Sequence, residues 1–528
     1  MNRRLVAALA AALFVTLLPG GPSVPRSVGA GPAGDNVLRV SINGDVTMNP
    51  LTFPQQLPTT QVIKVVFNTL TKFNPGDLKV VPDLATLWTQ AENGRIWVFK
   101  LRRGVKWHDG RPFSAADVKF TFDAIVDPRN RALYRTTFLG LESVTAVDDY
   151  TVRFEFNRPY AALPIVVGFN IPIIPRHLLE GKNLVEMSEF IRNPVGTGPY
   201  RWKEYVEGSH LTLEANPDYY AGRPPIDSVV IKIIPEINTV VAQMRTGELD
   251  LGIIEPVHVD SLKNQAHLRF QTIELPSAFY IALNGSRFPF NDKKVRQAFM
   301  YGLNRPQMVE RILKGTANLA TGPYAKAFGR FYNPNLKPYA YDPNKAKQLL
   351  AEVGFRPGAG GILEKDGRPL SFELMVDKGN PTREQIALVA QQQWKALGAD
   401  VRLNVVEWSV YIRRGNQRPG DYDARTSWRI TSPDPDKTPE YTSGGTVNHY
   451  MYNNTEVDRL MAEARATFDP TLRPKLYHKI QELIYEDVPV LWIFYNSEIL
   501  AINKRVANFP NLGLRDALTW LNLPSIAK

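Results

Sequence analysis

Residues 97–122 read W-V-F-K-L-R-R-G-V-K-W-H-D-G-R-P-F-S-A-A-D-V-K-F-T-F and predict a strand, a turn and a helix in that order. Large apolar side chains occupy alternate positions from Trp97 to Leu101, which is the period of a strand. The pair Asp109-Gly110 is typical of a turn. Ser114 followed by Asp117 forms a capping box, and apolar residues at helical spacing come after it.

The rest of the sequence mixes strand patterns with helix patterns and therefore predicts an α/β or α+β protein. Strands are predicted at 37–42, 151–156, 210–213, 229–234, 250–254, 279–284, 401–406 and 488–495. Helices are predicted at 238–245, after Asn291, from Asp342-Pro343 to Gly354, at 385–397, after a capping box at Thr455–Asp458, and at 476–485. The segment 62–73 fits either a helix or a strand, and 74–77 fits a turn. There is no internal repeat and no low-complexity segment.

The composition excludes several classes of function. The 528 residues include 63 Lys and Arg against 52 Asp and Glu, a formal net charge of +11, and no cysteine. This length is enough for two or three domains with a large core. Acidic residues lie among the basic ones, so the charge forms no dense stripe of the kind that binds nucleic acid. Without cysteine there is no disulfide, no thiolate metal site and no thiol nucleophile.

Residues 1–30 have the pattern of a secretory signal peptide. Arg3 and Arg4 precede an apolar run from Leu5 to Leu18, and Val28-Gly29-Ala30 offers small residues for cleavage. The apolar run is too short for a stable membrane span. We expect a freely soluble periplasmic protein, and not a lipoprotein, because a lipoprotein is anchored through an N-terminal cysteine.

The sequence contains no convincing catalytic motif. The seven histidines are scattered without H-E-x-x-H spacing, and there is no G-x-S-x-G elbow. Asp421 and Asp423 would share one face of a strand, but no base or metal ligand accompanies them. Gly196-Thr197-Gly198 lacks the lysine of a phosphate loop and is typical of a structural turn. We expect a protein that is not an enzyme and has no cofactor or metal, with a hydrolase as the enzymatic alternative.

The opening segment, together with a series of shorter blocks, resembles the extracytoplasmic solute-binding proteins of family 5, the peptide/nickel class that delivers solutes to ABC importers. The resemblance covers roughly residues 37–509. Further blocks in the family's order are Val195–Tyr200, Asn216–Tyr220 with Pro225–Asp227, Gly247–Asp250, Asn291–Ala298, Tyr341–Ala346, Tyr422-Asp423 before Trp428, Asp434–Asp436 and Glu456–Asp458. No single block is decisive, but their common order argues against chance similarity.

The resemblance implies an α/β fold with two lobes, the type II periplasmic-binding-protein fold, and a small inserted domain. Ligand would bind in the cleft between the lobes, which close over it by a hinge motion. The implied limits are 31–60, 180–283 and 500–528 for lobe I, 61–179 for the inserted domain II and 284–499 for lobe III. The implied partners are a permease and an ATPase of the inner membrane, and the protein would be a monomer.

The segment around Arg425 and Trp428 is the best candidate for ligand binding. In peptide-binding relatives a tryptophan that matches Trp428 lines the pocket, and an arginine three residues earlier, here Arg425, can pair with a peptide carboxylate. Guanidinium suits this role because it binds a carboxylate with two parallel hydrogen bonds. The alternatives are that Arg425 pairs with a structural acid such as Asp423 and that Trp428 packs in the core.

The sequence departs from the peptide-binding pattern at Thr431. Peptide binders usually have an aspartate there, which neutralises the α-ammonium group of the peptide, and a buried ammonium without a counter-charge is costly. Either Asp434 or Asp436 replaces this aspartate, or the ligand has no free amine. Asp434 also begins an Asp-Pro pair, for which turn formation is the alternative role.

Further candidate ligand contacts are aromatic, because aromatic rings stack on peptide planes, sugars and side chains. They are Tyr280, Trp492, Phe494 and Tyr200, and core packing is an equally good explanation for each. The predicted ligand is a peptide or a similar small solute. The alternatives in the same fold are an oligosaccharide, an opine, a metal chelate or haem, and a ligand-presenting partner of a sensor kinase would be a different class of function.

Overall fold

A computed structural model describes residues 36–52, 57–74, 79–169, 171–428, 434–509 and 525–526. The predicted signal peptide, most of the predicted turn at 74–77, and Thr431 lie outside the described residues.

The described strands are distributed along the whole chain. They are β1 Val37–Ile42, β2 Thr71–Phe73, β3 Val80–Pro82, β4 Ala85–Ala91, β5 Ile96–Leu101, β6 Leu141–Asp148, β7 Thr151–Phe156, β8 Tyr200–Val206, β9 His210–Ala215, β10 Ser228–Ile233, β11 Leu251–Ile254, β12 Leu268–Leu283, β13 Asn318–Leu319, β14 Arg356–Pro357, β15 Leu363–Lys365, β16 Arg368–Pro369, β17 Ser371–Asp377, β18 Asp400–Val406, β19 Ala424–Trp428, β20 Val490–Asn503, β21 Val506–Ala507 and β22 Ser525–Ile526.

The described α-helices lie between these strands and are most frequent after Leu283. They are α1 Leu57–Val66, α2 Ala115–Val126, α3 Leu163–Phe169, α4 Arg176–Leu179, α5 Ser188–Arg192, α6 Ile237–Thr246, α7 Val259–Leu262, α8 Lys293–Tyr301, α9 Arg305–Ile312, α10 Pro343–Glu352, α11 Pro381–Lys395, α12 Trp408–Gly415, α13 Thr438–Tyr441, α14 Thr455–Ala466 and α15 Leu472–Asp487. In the described part of the chain, no helix is both long enough and apolar enough to cross a bilayer.

The main sheet has the strand order β18-β17-β19-β12-β20-β11-β1-β10-β9-β8, with β13 beside β20. Strands β18 and β19 both run parallel to β17, whereas β12 and β20 run antiparallel to their neighbours in the centre. A separate antiparallel sheet, β4-β5-β7-β6, lies within the range predicted for the inserted domain. The sheet mixture confirms the predicted α/β class, while the domain limits remain a prediction.

The predicted strand-turn-helix unit is present at residues 96–126 as β5, a turn and α2. Trp97, Phe99 and Leu101 are all buried, and Gly110 has a φ of +87° that its turn requires. Ser114 and Asp117 form the predicted capping box at the start of α2. Alternating apolar residues, a turn glycine and a local cap therefore account for the elements of this unit.

His108, which belongs to this unit, connects it by hydrogen bonds to the glycine turn at 196–198. Its Nδ1 accepts a hydrogen bond from the Gly196 amide at 3.2 Å, and its Nε2 donates to the Gly198 carbonyl at 3.0 Å. Burial lowers the pKa of His108 to about 4, so the ring is neutral. Two segments that are 88 residues apart in sequence are thereby held together.

Strands β12 and β20 connect two large hydrophobic cores. The first core is built on β1, β5, β7, β9, β10 and α2, and the second on β17, β19, α8, α11, α14 and α15. Residues Ile273 and Leu275 of β12 belong to the first core, whereas Ala278 to Leu283 belong to the second. The pairing of β12 with β20 shifts register between Glu274 and Ala278, where the strands pass from one core to the other. These two strands therefore form the covalent connection between the two cores.

The structure corrects several predicted boundaries. The predicted strand 279–284 is only the last part of β12, because Glu274, Pro276 and Ser277 interrupt its apolar pattern. The cap of α14 is Asn454, whose side chain accepts from the amides of Glu456 and Val457, so the predicted capping box at Thr455 is wrong.

Two further elements begin elsewhere than the sequence indicates. The segment 62–73 contains the end of α1 and all of β2, so both readings of its pattern are present. Strand β20 starts at Val490 because Val488, with a φ of +47°, ends the preceding helix α15 in a left-handed conformation.

Candidate functional site

The carboxyl ends of three parallel strands define the candidate site. Strands β17, β18 and β19 end at Asp377, Val406 and Trp428, and α12 begins at Trp408, just after β18. In open α/β sheets ligands bind outside the carboxyl ends of the strands. The crossing strand β12 pairs with β19 at this same edge, so the site lies where the chain passes between the two cores.

Arg425 is buried at this site and has no carboxylate partner among the residues that the structure describes. Its side chain is 6% exposed, its Nε has no hydrogen-bond partner, and it forms no ion pair within the described residues. The guanidinium carbon lies 5.0 Å from the ring centre of Tyr422 and 5.3 Å from that of Tyr411. A Cβ on Gly415 would overlap the guanidinium, so this glycine leaves the space that the group occupies.

The suggested structural pairing of Arg425 with Asp423 is wrong. Asp423 instead accepts from Arg287 at 3.1 Å, and Asp421 accepts from Arg287 at 3.3 Å and from Arg414 at 3.1 Å. These two aspartates therefore hold the loop before β19 in place. The positive charge of Arg425 faces the aromatic rings of Tyr411 and Tyr422. Cation–π contacts of this kind stabilise a buried cation only in part.

The strand register brings Tyr280 and Trp492 to the same sheet face as Arg425. Ala282 pairs with Arg425 and Tyr280 pairs with Ser427, and these alternate residues share one face. Tyr280 also pairs with Trp492, and their rings meet edge to face at 5.4 Å. The indole nitrogen of Trp492 has no hydrogen-bond partner. Three of the predicted site residues are thus neighbours.

Trp428 lies at the end of β19 with aromatic and cationic groups around it. The guanidinium carbon of Arg383 is 3.4 Å from its ring centre, and the ring of Trp408 is 5.7 Å away. Trp408 is 48% exposed and stacks on Tyr411 at 5.6 Å. One face of the Trp428 indole is therefore covered by Arg383.

Phe494 packs within the second core beside the crossing strands. Its ring stacks on Phe279 with centroids 5.1 Å apart and an interplanar angle of 8°. Phe279 also pairs with Trp428 across the sheet, so Phe494 lies near the site but is 5% exposed. Its position in the second core fits the packing alternative at least as well as a ligand contact.

Tyr200 is not brought together with the other predicted residues. It is fully buried in the first core, and its hydroxyl donates to the Ile226 carbonyl at 3.3 Å. Burial raises the pKa of this hydroxyl above its usual range. These contacts place it in the sheet formed by β8, β9 and β10, where it supports packing.

Asp434 and Asp436 are both engaged by arginines. Asp434 is 3% exposed, and Arg473 donates to its two oxygens at 3.1 and 3.0 Å. The Nε of Arg465 lies 3.3 Å from one oxygen of Asp436, and the other oxygen accepts a hydrogen bond from the amide of Thr438. Neither carboxylate is thus arranged as a simple replacement for the aspartate that peptide binders have in place of Thr431.

Sequence reasoning does not single out four residues that lie at the candidate site: Asp377, Arg383, Trp408 and Tyr411. Asp377 forms a close ion pair with Arg383, and the Tyr411 hydroxyl donates to the Thr426 carbonyl. The sequence contains an indication for two of them. Asp377 lies at the carboxyl end of β17 and Trp408 comes just after the carboxyl end of β18, which is where ligands bind in open α/β sheets. Among the described residues there is no group of acidic or histidine side chains that could hold a metal ion.

Comparison with known proteins agrees with this architecture. Residues 79–450 match the model of the bacterial extracellular solute-binding proteins, family 5. The oligopeptide-binding protein AppA of Bacillus subtilis is 30% identical over 96% of this chain and 95% of its own length. Its structure in complex with a nonapeptide covers 93% of this chain and 99% of that chain, with 31% identity and a TM-score of 0.78.

Relatives with other ligands are similar to this chain too. The haem-binding protein A of Haemophilus influenzae is 29% identical over 84% of each chain. The structure of NikA from Brucella suis in complex with Fe(III)-EDTA covers 94% of this chain and 100% of that chain, with 25% identity and a TM-score of 0.83. The chain belongs to the family 5 bacterial extracellular solute-binding proteins and has their two-lobed type II fold.

Proposed function

We propose that the protein is the receptor of an ABC importer, which captures a peptide or a similar small solute between its two cores and delivers it to the permease. The observation that carries this proposal is the buried guanidinium of Arg425, which has no carboxylate partner in the described residues. A ligand carboxylate would supply the missing charge through two parallel hydrogen bonds. The role is one of binding, without catalysis.

The crossing strands support a receptor that closes on its ligand. Because β12 and β20 change register where they pass between the cores, the cores can rotate about this crossing. A ligand that contacts both cores would favour the closed arrangement by its differential affinity for it. A permease and an ATPase could then recognise the loaded receptor by its shape.

A metal chelate is the second candidate ligand. Fe(III)-EDTA, which is present in the similar NikA structure, is held together by carboxylates. The same unpaired guanidinium would suit a chelate carboxylate as well as a peptide terminus. The absence of a metal-ligand group among the described residues agrees with capture of a chelate rather than of a bare ion.

Native mass spectrometry of protein purified without denaturation tests this function. We expect bound masses that match short peptides, and a single mass with a metal isotope pattern would instead identify a chelate. Protein with Arg425→Gln should lose most of the bound ligand, while Arg287→Gln, which changes the guanidinium paired with Asp421 and Asp423, should retain it. Retention of ligand by the Arg425→Gln variant would contradict the proposed role of Arg425.

We also propose that the chain is exported through residues 1–30 and acts in the periplasm as a soluble monomer. The basic start and apolar run of this segment support export. N-terminal sequencing of the protein isolated from the periplasm should begin just after Ala30. Sedimentation velocity at micromolar concentration should give a single monomeric species.

A further inference from the structure

We propose that Asp377 receives the α-ammonium group of a short peptide whose terminal carboxylate binds Arg425. This inference rests on the proposed function and assigns the counter-charge that Thr431 cannot provide. The ligand class is then a short peptide with a free amino terminus and a free carboxyl terminus.

One carboxylate oxygen of Asp377 has no hydrogen-bond partner among the described residues. The residue ends β17 and is 4% exposed, and one of its oxygens accepts from Arg383. Its other oxygen, Oδ1, is buried and has no hydrogen-bond partner in the described structure. A buried acceptor without a partner is costly to the folded state, so a site that retains one is suited to a donor from outside.

The register places Asp377 on the sheet face that carries Arg425. Met375 of β17 pairs with Arg425 of β19, and two residues further along these parallel strands come Asp377 and Ser427. Alternate residues share a face, so Asp377 and Arg425 are diagonal neighbours on it. From strand rise and spacing their Cα atoms are about 8 Å apart, close enough for their side chains to contact the two ends of one short peptide.

The charges of Arg425 and Asp377 both act on the hydroxyl of Tyr411. Burial raises the pKa of Tyr411, the positive charge of Arg425 lowers it, and the negative charge of Asp377 raises it. Tyr411 lies on α12, and the centre of its ring is 5.3 Å from the guanidinium carbon of Arg425. Both groups therefore lie close enough to Tyr411 to affect its hydroxyl.

The other acids near the site also have ion-pair partners, and none of them has a buried oxygen without a hydrogen-bond partner among the described residues. Asp421 and Asp423 bind Arg287, Asp434 binds Arg473 and Asp436 binds Arg465. Asp377 is the one acidic residue in the described part of the chain that has a buried oxygen without a partner. Arg383 pairs with Asp377 and also stacks on Trp428, and this second contact fixes the pair in place.

The test is calorimetric titration of the full chain with trialanine, N-acetyltrialanine and trialanine amide, after unfolding and refolding to remove any co-purified ligand. We expect trialanine to bind about 30-fold more tightly than its N-acetyl form, as for a buried charge pair that has lost one partner. Asp377→Asn should remove this preference and leave binding of the N-acetyl form within about threefold of wild type. Arg425→Gln should remove the preference for trialanine over its amide.

Glu373→Gln is the matched control, since Glu373 lies on β17 and its ion pair is with Arg414. It should leave all three affinities unchanged, and thermal melting should show that each variant is folded. Equal binding of trialanine and its N-acetyl form by wild type would overturn the inference while leaving peptide capture intact. Equal weakening of both by Asp377→Asn would also overturn it. Failure of wild type to bind any of the three would reject both peptide capture and the inference.

Discussion

The ring of Phe468 fills the space directly over Gly94, where a Cβ would overlap it. Phe468 follows α14 of the second core, yet it packs against the first core and lies 5.8 Å from the ring of Trp97. Gly94 has a φ of +82°, which glycine adopts readily. This contact joins the two cores away from their covalent crossing at β12 and β20.

Loss of the Phe468 ring should shift the protein towards an open arrangement. An aromatic contact of this kind contributes about 1 kcal/mol, so Phe468→Ala should weaken ligand binding roughly fivefold. Small-angle scattering of the ligand-free variant should show a larger radius of gyration than that of wild type.

Gly94→Ala should have the same effect by displacing the ring. Gly104→Ala is the control, since Gly104 has a φ of +74° but no neighbour within 4 Å. Equal effects of the two glycine substitutions would show that backbone strain, and not the ring contact, is responsible.

The buried His108 should make stability depend on pH. Its folded pKa of about 4 lies below the unfolded value near 6.5, so the unfolded chain binds the extra proton between these values. The stability contributed by neutral His108 is therefore fully present above about pH 6.5 and is lost as pH falls towards 4, by about 3 kcal/mol. Urea denaturation at a series of pH values measures this loss.

His108→Gln retains one hydrogen-bond donor and one acceptor but cannot titrate. Its free energy of unfolding should change less between pH 6.5 and 4 than that of wild type. An identical pH dependence in the two proteins would place the titrating group elsewhere.

The buried pair of Asp434 and Arg473 should be far more sensitive than a surface pair. Arg473→Met would leave the Asp434 carboxylate buried without its partner and should destabilise the protein by about 3–5 kcal/mol. Asp434→Asn combined with Arg473→Met should recover part of this loss. At the exposed pair of Arg459 and Glu456, Arg459→Met should destabilise the protein far less, because solvent screens an exposed ion pair. Chemical denaturation measures all of these, and similar losses at the two pairs would show that burial does not control their contribution.

Gly415→Ala should displace the guanidinium of Arg425 without unfolding the protein, because the end of a long side chain can move. We expect affinity for a peptide with a free carboxylate to fall about tenfold, with the melting temperature nearly unchanged. Gly444→Ala, at a glycine with open space around it, should leave affinity unaltered. Calorimetric titration with trialanine distinguishes these outcomes, and an unaltered affinity in Gly415→Ala would place the ligand carboxylate away from Arg425.

Local signals in the sequence account for much of the fold. Strand β5, its turn and helix α2 follow from alternation, Asp109-Gly110 and a capping box within one short segment. Strand β12 was predicted only in its last part because Pro276 and polar neighbours break its pattern, and pairing with β20 overrides this. The cap at Asn454 shows that an adjacent Thr can mislead when two good capping residues stand together.

Only part of the candidate site follows from local signals in the sequence. Arg425 and Trp428 lie in one recognisable segment, and Tyr280 and Trp492 join them through strand pairing. Asp377 comes to Arg425 only through the register between β17 and β19, which no local pattern specifies. The contacts that bury Tyr200 and pair Asp434 with Arg473 are likewise products of tertiary packing.

The paired crossing of β12 and β20 makes the second core one uninterrupted stretch of chain, from Ala278 to Tyr495, inserted into the first. Its two junctions lie side by side on neighbouring strands, about 4.8 Å apart. Genetic recombination between related proteins therefore needs only two crossover points, which are adjacent in the structure, to exchange this whole stretch. The exchanged stretch includes Asp377, Arg425 and Trp428. New ligand preferences could spread through such exchanges while the remainder of the receptor stays fitted to its transporter.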